Sequence, residues 1–366
     1  MINPSEPKID KTLSLNSLLF TFLKIGAIGF GGGMAMLALL REHLVKRKGW
    51  ISDDDLTTAV AMGQILPGPF VPNYVEFIGY KLFRLKGMIL SVISFLIPSY
   101  SVTLLLSFLY FQYQRVALLD NAFSFLSPAI PALLLYSAVR MGRDYFKDFL
   151  SYIFCLLAFF GLYFQLELFL VIGLLGFLGI VRQGITKSPR QLFAFSPILL
   201  LELCYVFLKI GALIFGGGFA AIPFIEREVV TGRGWLTSKA FIDGVAISQI
   251  TPGPVAILAT FVGYGVGGIL GSFVATISVF LPSFLMLFFL IKVYERVKEN
   301  FYVKSFLSGV KPGIVGVILF AAFSLGRASI VDIRSIIVAV IAFISLWQIE
   351  PVFIILGLGV LGIILG

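Results

Sequence analysis

Residues 22–35 read FLKIGAIGFGGGMA, and residues 207–220 read FLKIGALIFGGGFA. The two stretches agree at 11 of 14 positions, at a constant offset of 185 residues. Each is an apolar segment that contains a lysine and three consecutive glycines, and both features are costly inside a membrane helix. Because this costly combination of a lysine and three glycines recurs at the same offset, the sequence indicates a duplicated chain. It also indicates that the apolar helices are broken at the glycines.

The composition predicts a multi-pass membrane protein. Of 366 residues, 59% are hydrophobic and only 13% are charged, whereas soluble domains are about half apolar and a quarter charged. Apolar stretches near the ~20 residues that cross a bilayer recur along the chain, which excludes a large soluble catalytic domain. The net charge of +9 is spread through short loops. This distribution favours contact with lipid headgroups and argues against nucleic-acid binding.

The duplication extends well beyond the opening motif. The same offset superposes Trp50 on Trp235, Gln64 on Gln249, and Pro67-Gly68-Pro69 on Pro252-Gly253-Pro254. Residues 183–196 form the only polar break long enough to join two units. We therefore place the boundary near residue 190 and expect an N-terminal repeat over 1–190 and a C-terminal repeat over 191–366.

The predicted fold is an all-α membrane protein made of two homologous helical-bundle repeats. In each repeat the FGGG motif interrupts a helix, and we expect a second helical stretch to begin at Met34 or Phe219. The PGP motif interrupts another helix, because a proline pushes its preceding residue away from helical dihedrals. We expect discontinuous or re-entrant helices at both motifs. The distribution of Lys and Arg does not choose between parallel and inverted repeats.

Broken helices at membrane depth persist only where they are buried in protein or line a cavity. Each break also starts a new helix, whose first N–H groups and positive dipole end attract anions. Secondary transporters hold anionic substrates in this way at a repeat interface. The alternative is that the glycines serve close helix packing and the prolines serve kinks. The candidate substrate-binding residues at the breaks are Gly31, Gly32, Gly33, Pro67, Gly68 and Pro69, with Gly216, Gly217, Gly218, Pro252, Gly253 and Pro254.

Polar side chains inside the apolar segments are further candidates. Lys24 and Lys209 lie in register before the glycines and are interpreted as substrate contacts or as snorkelling side chains. Gln64 and Gln249 lie three residues before their first prolines and could contact substrate or cap the broken backbone.

The repeats differ just after the PGP motif. The first repeat carries Asn73, a candidate substrate contact, and Glu76, a candidate coupling residue. Glu76 could carry a proton or pair with Lys24 or Lys81. His43 is the only histidine of the chain, so we predict no metal site, no cofactor and no enzymatic activity.

Two copies of FLKIGxxxFGGGxA, a downstream Trp, and QxxPGP followed by Gly-Tyr resemble the chromate ion transporter family in its long form with two fused domains. The resemblance covers nearly the whole chain. It implies export of chromate across the bacterial inner (plasma) membrane, with chromate resistance, driven by the membrane potential or a proton gradient. It also implies that the two halves face opposite ways, which favours inverted repeats. The family motif covers Lys24, Lys209, the two glutamines and the glycines and prolines of the breaks, but not Glu76.

The expected partners are chromate or a sulfate-like oxyanion, the lipid bilayer and, as an open alternative, a second copy of the chain. A transporter for sulfate or another oxyanion is the nearest rival, since size and charge nearly coincide. A proton or cation channel would use Glu76 and the freed carbonyl groups instead. A lipid-modifying enzyme is disfavoured, because the sequence has no paired acid and base.

Overall fold

A computed structural model describes residues 13–29, 32–112, 117–146, 148–164, 166, 168–181, 199–214, 218–297, 301–349 and 351–365. Within these ranges the regular elements are helices, and no strand occurs, as predicted. The boundary near residue 190 and the candidates Gly31, Gly216 and Gly217 lie outside the described residues.

The helices of the two repeats follow one another in matching order. In the first repeat they are α1 (Leu15–Ile28), α2 (Gly32–Leu40), α3 (Asp53–Ile65), α4 (Phe70–Gln112), α5 (Ala117–Leu126), α6 (Ala129–Tyr145), α7 (Phe149–Tyr163) and α8 (Leu168–Val181). In the second they are α9 (Leu199–Leu213), α10 (Gly218–Glu226), α11 (Ser238–Ile250), α12 (Leu258–Val297), α13 (Phe301–Ser329), α14 (Ile333–Ser345) and α15 (Pro351–Leu365). Single π-helical turns, Arg41–Arg47 and Arg227–Gly232, extend α2 and α10.

The glycine breaks occur where the sequence predicts them. Helix α1 ends at Ile28, and α2 begins at Gly32 rather than at Met34. Helix α10 begins at Gly218, one residue earlier than predicted. The first residues of a helix make no intrahelical N–H bond, so the last glycines of each run can enter the helix at little cost.

Each PGP motif is the tip of a helical hairpin. An ion pair between Asp55 and Lys81 shows that the start of α3 lies beside the part of α4 around residue 81. Nearer the tip, a side chain on Gly63 would overlap the Tyr74 ring. In the second repeat Gly244 of α11 lies equally close to Phe261 of α12. The two arms of each hairpin therefore run antiparallel.

Helices α4 and α12 each contain a second reversal. In α4 the helical dihedrals fail at Phe83 and Arg84, and in α12 they fail at Gly267 and Gly268. Across the first turn, Gly79 packs on the backbone of Gly87, eight residues later. Each long helix is thus a pair of antiparallel arms: 70–82 and 85–112 in α4, and 258–266 and 269–297 in α12.

Arg84 occupies a backbone conformation that favours glycine. Its φ of 55° and ψ of −145° nearly equal those of Gly268, which are 60° and −147°. A side chain held in such a region costs about 1–3 kcal/mol. We expect Arg84→Gly to raise the thermal stability of the detergent-purified protein. Arg84→Lys keeps both the charge and the strain, so its melting temperature should equal that of the wild type, and a matching gain in Arg84→Lys would refute the strain argument.

Each of the two hydrophobic clusters contains residues of both repeats. Helices α6, α7 and α8 of the first repeat pack against α13 of the second, and α5 packs against α15. The arms of α4 and α12 pack against each other across the repeat interface. Each bundle therefore completes its burial with helices of the other repeat, and the breaks lie between them.

Four helical stretches of the described chain are long and apolar enough to cross a membrane. They are Phe70–Gln112, Ala122–Tyr145, Val255–Val293 and Ser308–Ser329. The first and third contain the reversals just described. Which arms cross the bilayer, and whether the repeats are inverted, stay predictions.

Candidate functional site

The breaks of the two repeats are bonded to each other. The backbone N–H of Gly68, in the first PGP motif, donates to the Ile214 carbonyl, which precedes the second glycine break, with an N–O distance of 2.5 Å. The N–H of Gly253, in the second PGP motif, donates to the carbonyl of Gly29, before the first glycine break, at 2.8 Å. The offset of 185 residues converts one bond into the other. We call the PGP motif of each repeat, residues 67–69 or 252–254, its elbow. The elbow of each repeat therefore contacts the glycine break of the other repeat.

Other contacts join these two pairs into one cluster. Gly218, at the start of α10, lies against Val255, so the second glycine break also touches the second PGP elbow. A side chain on Gly253 would overlap the Ser99 hydroxyl, and one on Gly68 would overlap the side chain of Ser283. The prolines of both elbows are buried: Pro67, Pro69, Pro252 and Pro254. All four breaks thus lie together in the protein interior.

The N–H groups of the two elbow glycines donate hydrogen bonds to the opposite repeat. In this arrangement the N–H groups of Gly68 and Gly253 are not available to an anion. Helices α2 and α10 begin at Gly32 and Gly218, and their first N–H groups have no intrahelical acceptor. These helix starts therefore offer main-chain donors to a ligand, whereas the elbow glycines act as contacts between the repeats.

Several side chains near the elbows have buried polar atoms without a hydrogen-bond partner. Among the described residues, the amide nitrogen of Gln249, the hydroxyl of Ser99 and both amide atoms of Asn73 have no hydrogen-bond partner. Native proteins rarely leave such groups unsatisfied, since each costs about 1–3 kcal/mol. They mark a place where water or a polar ligand completes the bonding. The side chain of Gln64 lies outside the part of the structure that is described.

Glu76 is fully buried, and neither carboxylate oxygen has a hydrogen-bond partner within the described chain. The alternative that Glu76 pairs with Lys24 or Lys81 does not occur among the described side chains. Lys81 binds Asp55, and Lys24 is an exposed side chain that forms no ion pair with Glu76. At the nearest equivalent position of the second repeat, 184 residues later, Thr260 instead shares a hydrogen bond of 2.7 Å with Thr276.

The ion pair of Asp55 closes the open end of the first PGP hairpin. Burial opposes ionisation of Asp55, but Lys81 and the Ser52 N–H hold the pKa of its carboxyl below the ordinary value. A lowered pKa means that the pair stabilises the fold at neutral pH. This contribution is lost as the pH falls through the lowered pKa of Asp55.

The two motif lysines differ in their surroundings. Lys209 Nζ lies 2.9 Å from a carboxylate oxygen of Glu228 and is half-buried. Arg233 binds the other oxygen of Glu228 and also Glu202, at 2.9 Å from the latter. Lys24 has no carboxylate at ion-pair distance among the residues with described side chains, and it is exposed. Glu228 therefore compensates the charge of Lys209, whereas the described side chains supply no such carboxylate to Lys24.

Sequence reasoning missed the role of two serines. Ser99 and Ser283 contact the elbow glycines of the opposite repeat. The signal was present, because the Pro98-Ser99 pair recurs as Pro282-Ser283 near the same offset. Nothing in the sequence indicated that each serine would lie against the other copy.

The chain matches the family model described as chromate transporter twice, over residues 16–180 and 201–363. It is 29% identical to a chromate transport protein of Cupriavidus metallidurans, covering 96% of this chain and 94% of that protein. It is 32% identical to a chromate transport protein of Pseudomonas aeruginosa, covering 96% and 92%. An uncharacterised transporter of Methanocaldococcus jannaschii is 30% identical, covering 91% and 89%. No solved structure matches the chain.

Proposed function

Because the chain belongs to the chromate transporter family, we propose that this multi-pass membrane protein exports chromate from the cytoplasm across the bacterial inner membrane, and so confers resistance. Chromate is a tetrahedral dianion that cannot enter hydrocarbon without compensating donors. The observation that carries the proposal is the meeting of four helix breaks between the repeats. No catalytic step is part of it.

The unsatisfied groups around the elbows support an oxyanion site there. The helix starts at Gly32 and Gly218 offer main-chain N–H groups, and Gln249 and Asn73 offer amide donors. These donors are neutral, so the positive potential comes from the helix ends and from Lys24. The bonds of Gly68 and Gly253 to the opposite repeat belong to a closed state, which rocking of the halves opens.

Flux of chromate in proteoliposomes tests the function directly. Purified protein reconstituted with chromate on one side should carry it across faster than protein-free vesicles do. Flux equal to that of empty vesicles, under both a membrane potential and a pH gradient, would contradict the proposal. Current without any added oxyanion would instead indicate a cation or proton channel.

Sulfate is the alternative substrate, because it has the same shape and charge as chromate. Sulfate added with chromate distinguishes the two. A chromate exporter should keep most of its chromate flux in an equal concentration of sulfate. A sulfate transporter should lose most of it.

We further propose that Glu76 couples transport to protons. An ionised carboxylate without a partner in a fully buried place costs several kcal/mol, so the closed state carries Glu76 protonated. Glu76 lies six residues into α4, or about 9 Å along the helix from its start near the elbow. Opening of the elbow would hydrate the carboxyl and release the proton.

Glu76→Gln should leave the protein folded and reduce the part of the flux driven by a pH gradient by about tenfold or more. The amide has the same shape but cannot release a proton. Flux would be measured in vesicles with an imposed pH gradient and no membrane potential. Glu42→Gln, which removes a surface carboxyl bound to Lys46 and Arg47, is the matched control and should keep its flux. An unchanged response of Glu76→Gln would rule out this carboxyl as the coupling group.

A further inference from the structure

The second repeat holds a carboxylate between two cations. One oxygen of Glu228 lies 2.9 Å from Lys209 Nζ, and its other oxygen binds Arg233. Glu202 binds Arg233 as well. Two positive and two negative charges therefore cancel in this cluster. We call the position of the Glu228 carboxylate the anion slot.

The same backbone occurs in the first repeat. Both repeats place a π-helical turn before a glycine with positive φ, 59° at Gly49 and 62° at Gly234. In both, the N–H of the following tryptophan, Trp50 or Trp235, donates to the carbonyl six residues earlier, at 2.9 and 2.8 Å. The preceding cation lies over the tryptophan ring in both repeats. Residues that lie 185 positions apart therefore have the same backbone conformation in this part of the two repeats.

The charges of the two slots differ. Lys24 and Lys48 stand where the second repeat has Lys209 and Arg233. The two carboxylates are replaced, since the offset puts His43 in place of Glu228 and Ser17 in place of Glu202. Lys24 is exposed, and Ser17, His43 and Lys48 are partly exposed.

From this comparison we propose that Lys24 and Lys48 bind a free tetrahedral dianion in the vacated slot of the first repeat, at a solvent-accessible docking site distinct from the elbow cluster. The second repeat shows that this backbone holds an oxyanion group between two cations, with Glu228 as the built-in example. The two missing carboxylates would have carried two negative charges, which is the charge of chromate. Lys24 lies five residues before Gly29, about 7.5 Å along α1, so the slot precedes the elbows.

The inference rests on the proposed chromate transport for its ligand, but it is tested by binding as well. Trp50 lies beside Lys48, whose Nζ is 4.4 Å from the ring centroid. Chromate absorbs where tryptophan emits, so chromate in the slot should quench Trp50. A variant with Trp235→Phe and Trp347→Phe leaves Trp50 as the single tryptophan. Potassium chromate titrated onto this protein in detergent should give saturable quenching that only a large excess of sulfate reverses.

His43→Glu is the decisive variant, because it gives the first repeat the carboxylate that Glu228 provides in the second. It should raise the chromate concentration for half-maximal quenching, and for half-maximal flux, by roughly tenfold while the maximal flux is retained. His43→Gln keeps the slot vacant and should bind as the parent protein does. Lys24→Gln and Lys48→Gln should each weaken binding to a similar extent.

Lys46→Gln is the control for surface charge, since Lys46 is exposed and pairs with Glu42. It should change neither binding nor flux. In the reverse direction, Glu228→His with Glu202→Ser vacates the second slot and should create chromate quenching of Trp235 in a protein that retains only this tryptophan.

The outcomes separate this inference from the proposed function. If His43→Glu leaves both half-saturating concentrations unchanged, or if Lys46→Gln shifts them equally, the slot is refuted while transport stands. If the wild type moves no chromate but Trp50 is quenched saturably and His43→Glu abolishes this, the docking site stands and the transport proposal fails.

Discussion

Replacing Gly26 and Gly211 together by alanine should strongly destabilise the folded protein in membranes. These glycines lie in register in α1 and α9, and a methyl group on either would overlap a backbone carbonyl, that of Phe95 or of Val279. A carbonyl cannot rotate away as a side chain can, so the helices must separate. Overpacking of this kind costs about 1–3 kcal/mol per site, and the two sites together remove a large part of a typical stability of about 5–15 kcal/mol.

The measurement is the yield and melting temperature of each variant in detergent. Gly173→Ala and Gly357→Ala are matched controls, because both lie inside helices and have no atom within 4 Å of an added methyl group among the described residues. They should be neutral or stabilising by about 0.5–1 kcal/mol. Equal losses in both sets would contradict close helix packing as the role of Gly26 and Gly211.

Substitution of the elbow glycines should abolish transport. Gly68 and Gly253 have φ of 110° and 102°, which a side chain rarely adopts. Alanine would also overlap Ser283 or Ser99 of the opposite repeat and disturb the bonds to Ile214 and Gly29. We expect Gly253→Ala to lower chromate flux by about a hundredfold, since small displacements of a positioning element have effects of that order.

Gly234→Ala is a control that introduces backbone strain at a glycine outside the elbows. Gly234 has a φ of 62°, and the described structure places no atom within 4 Å of an added methyl group. It should lose stability but keep its flux per folded molecule. Ser99→Gly combined with Gly253→Ala removes the overlap but not the strain, so part of the flux should return. Normal flux in Gly253→Ala would show that the elbows do not participate in transport.

The consequences of the duplication differ between packing and charge. Packing contacts are repeated closely, as with Gly26 and Gly211, because both copies must bury the same backbone. The ion pair of Lys209 with Glu228 is not repeated, since Lys24 has no described counterion. The copies have therefore kept one scaffold and diverged in the charges around Lys24 and Lys209.

The sequence alone determined the helical class, the duplication and the positions of the breaks. Apolar length, glycine runs and X-Pro steps act through local dihedrals, so α1, α2, α3 and α4 end or begin within two residues of the predicted places. Local rules also located Glu76 and Asn73 on one helix, but not their lack of partners.

Only the tertiary structure decided which break lies against which. The bonds from Gly68 to Ile214 and from Gly253 to Gly29 join residues more than a hundred positions apart. It likewise decided that Lys209 is neutralised by Glu228 and that Lys81 binds Asp55 instead of Glu76. Such pairings depend on how whole helices pack across the repeat interface, and the residue spacing along one helix carries no information about the helix that it will meet.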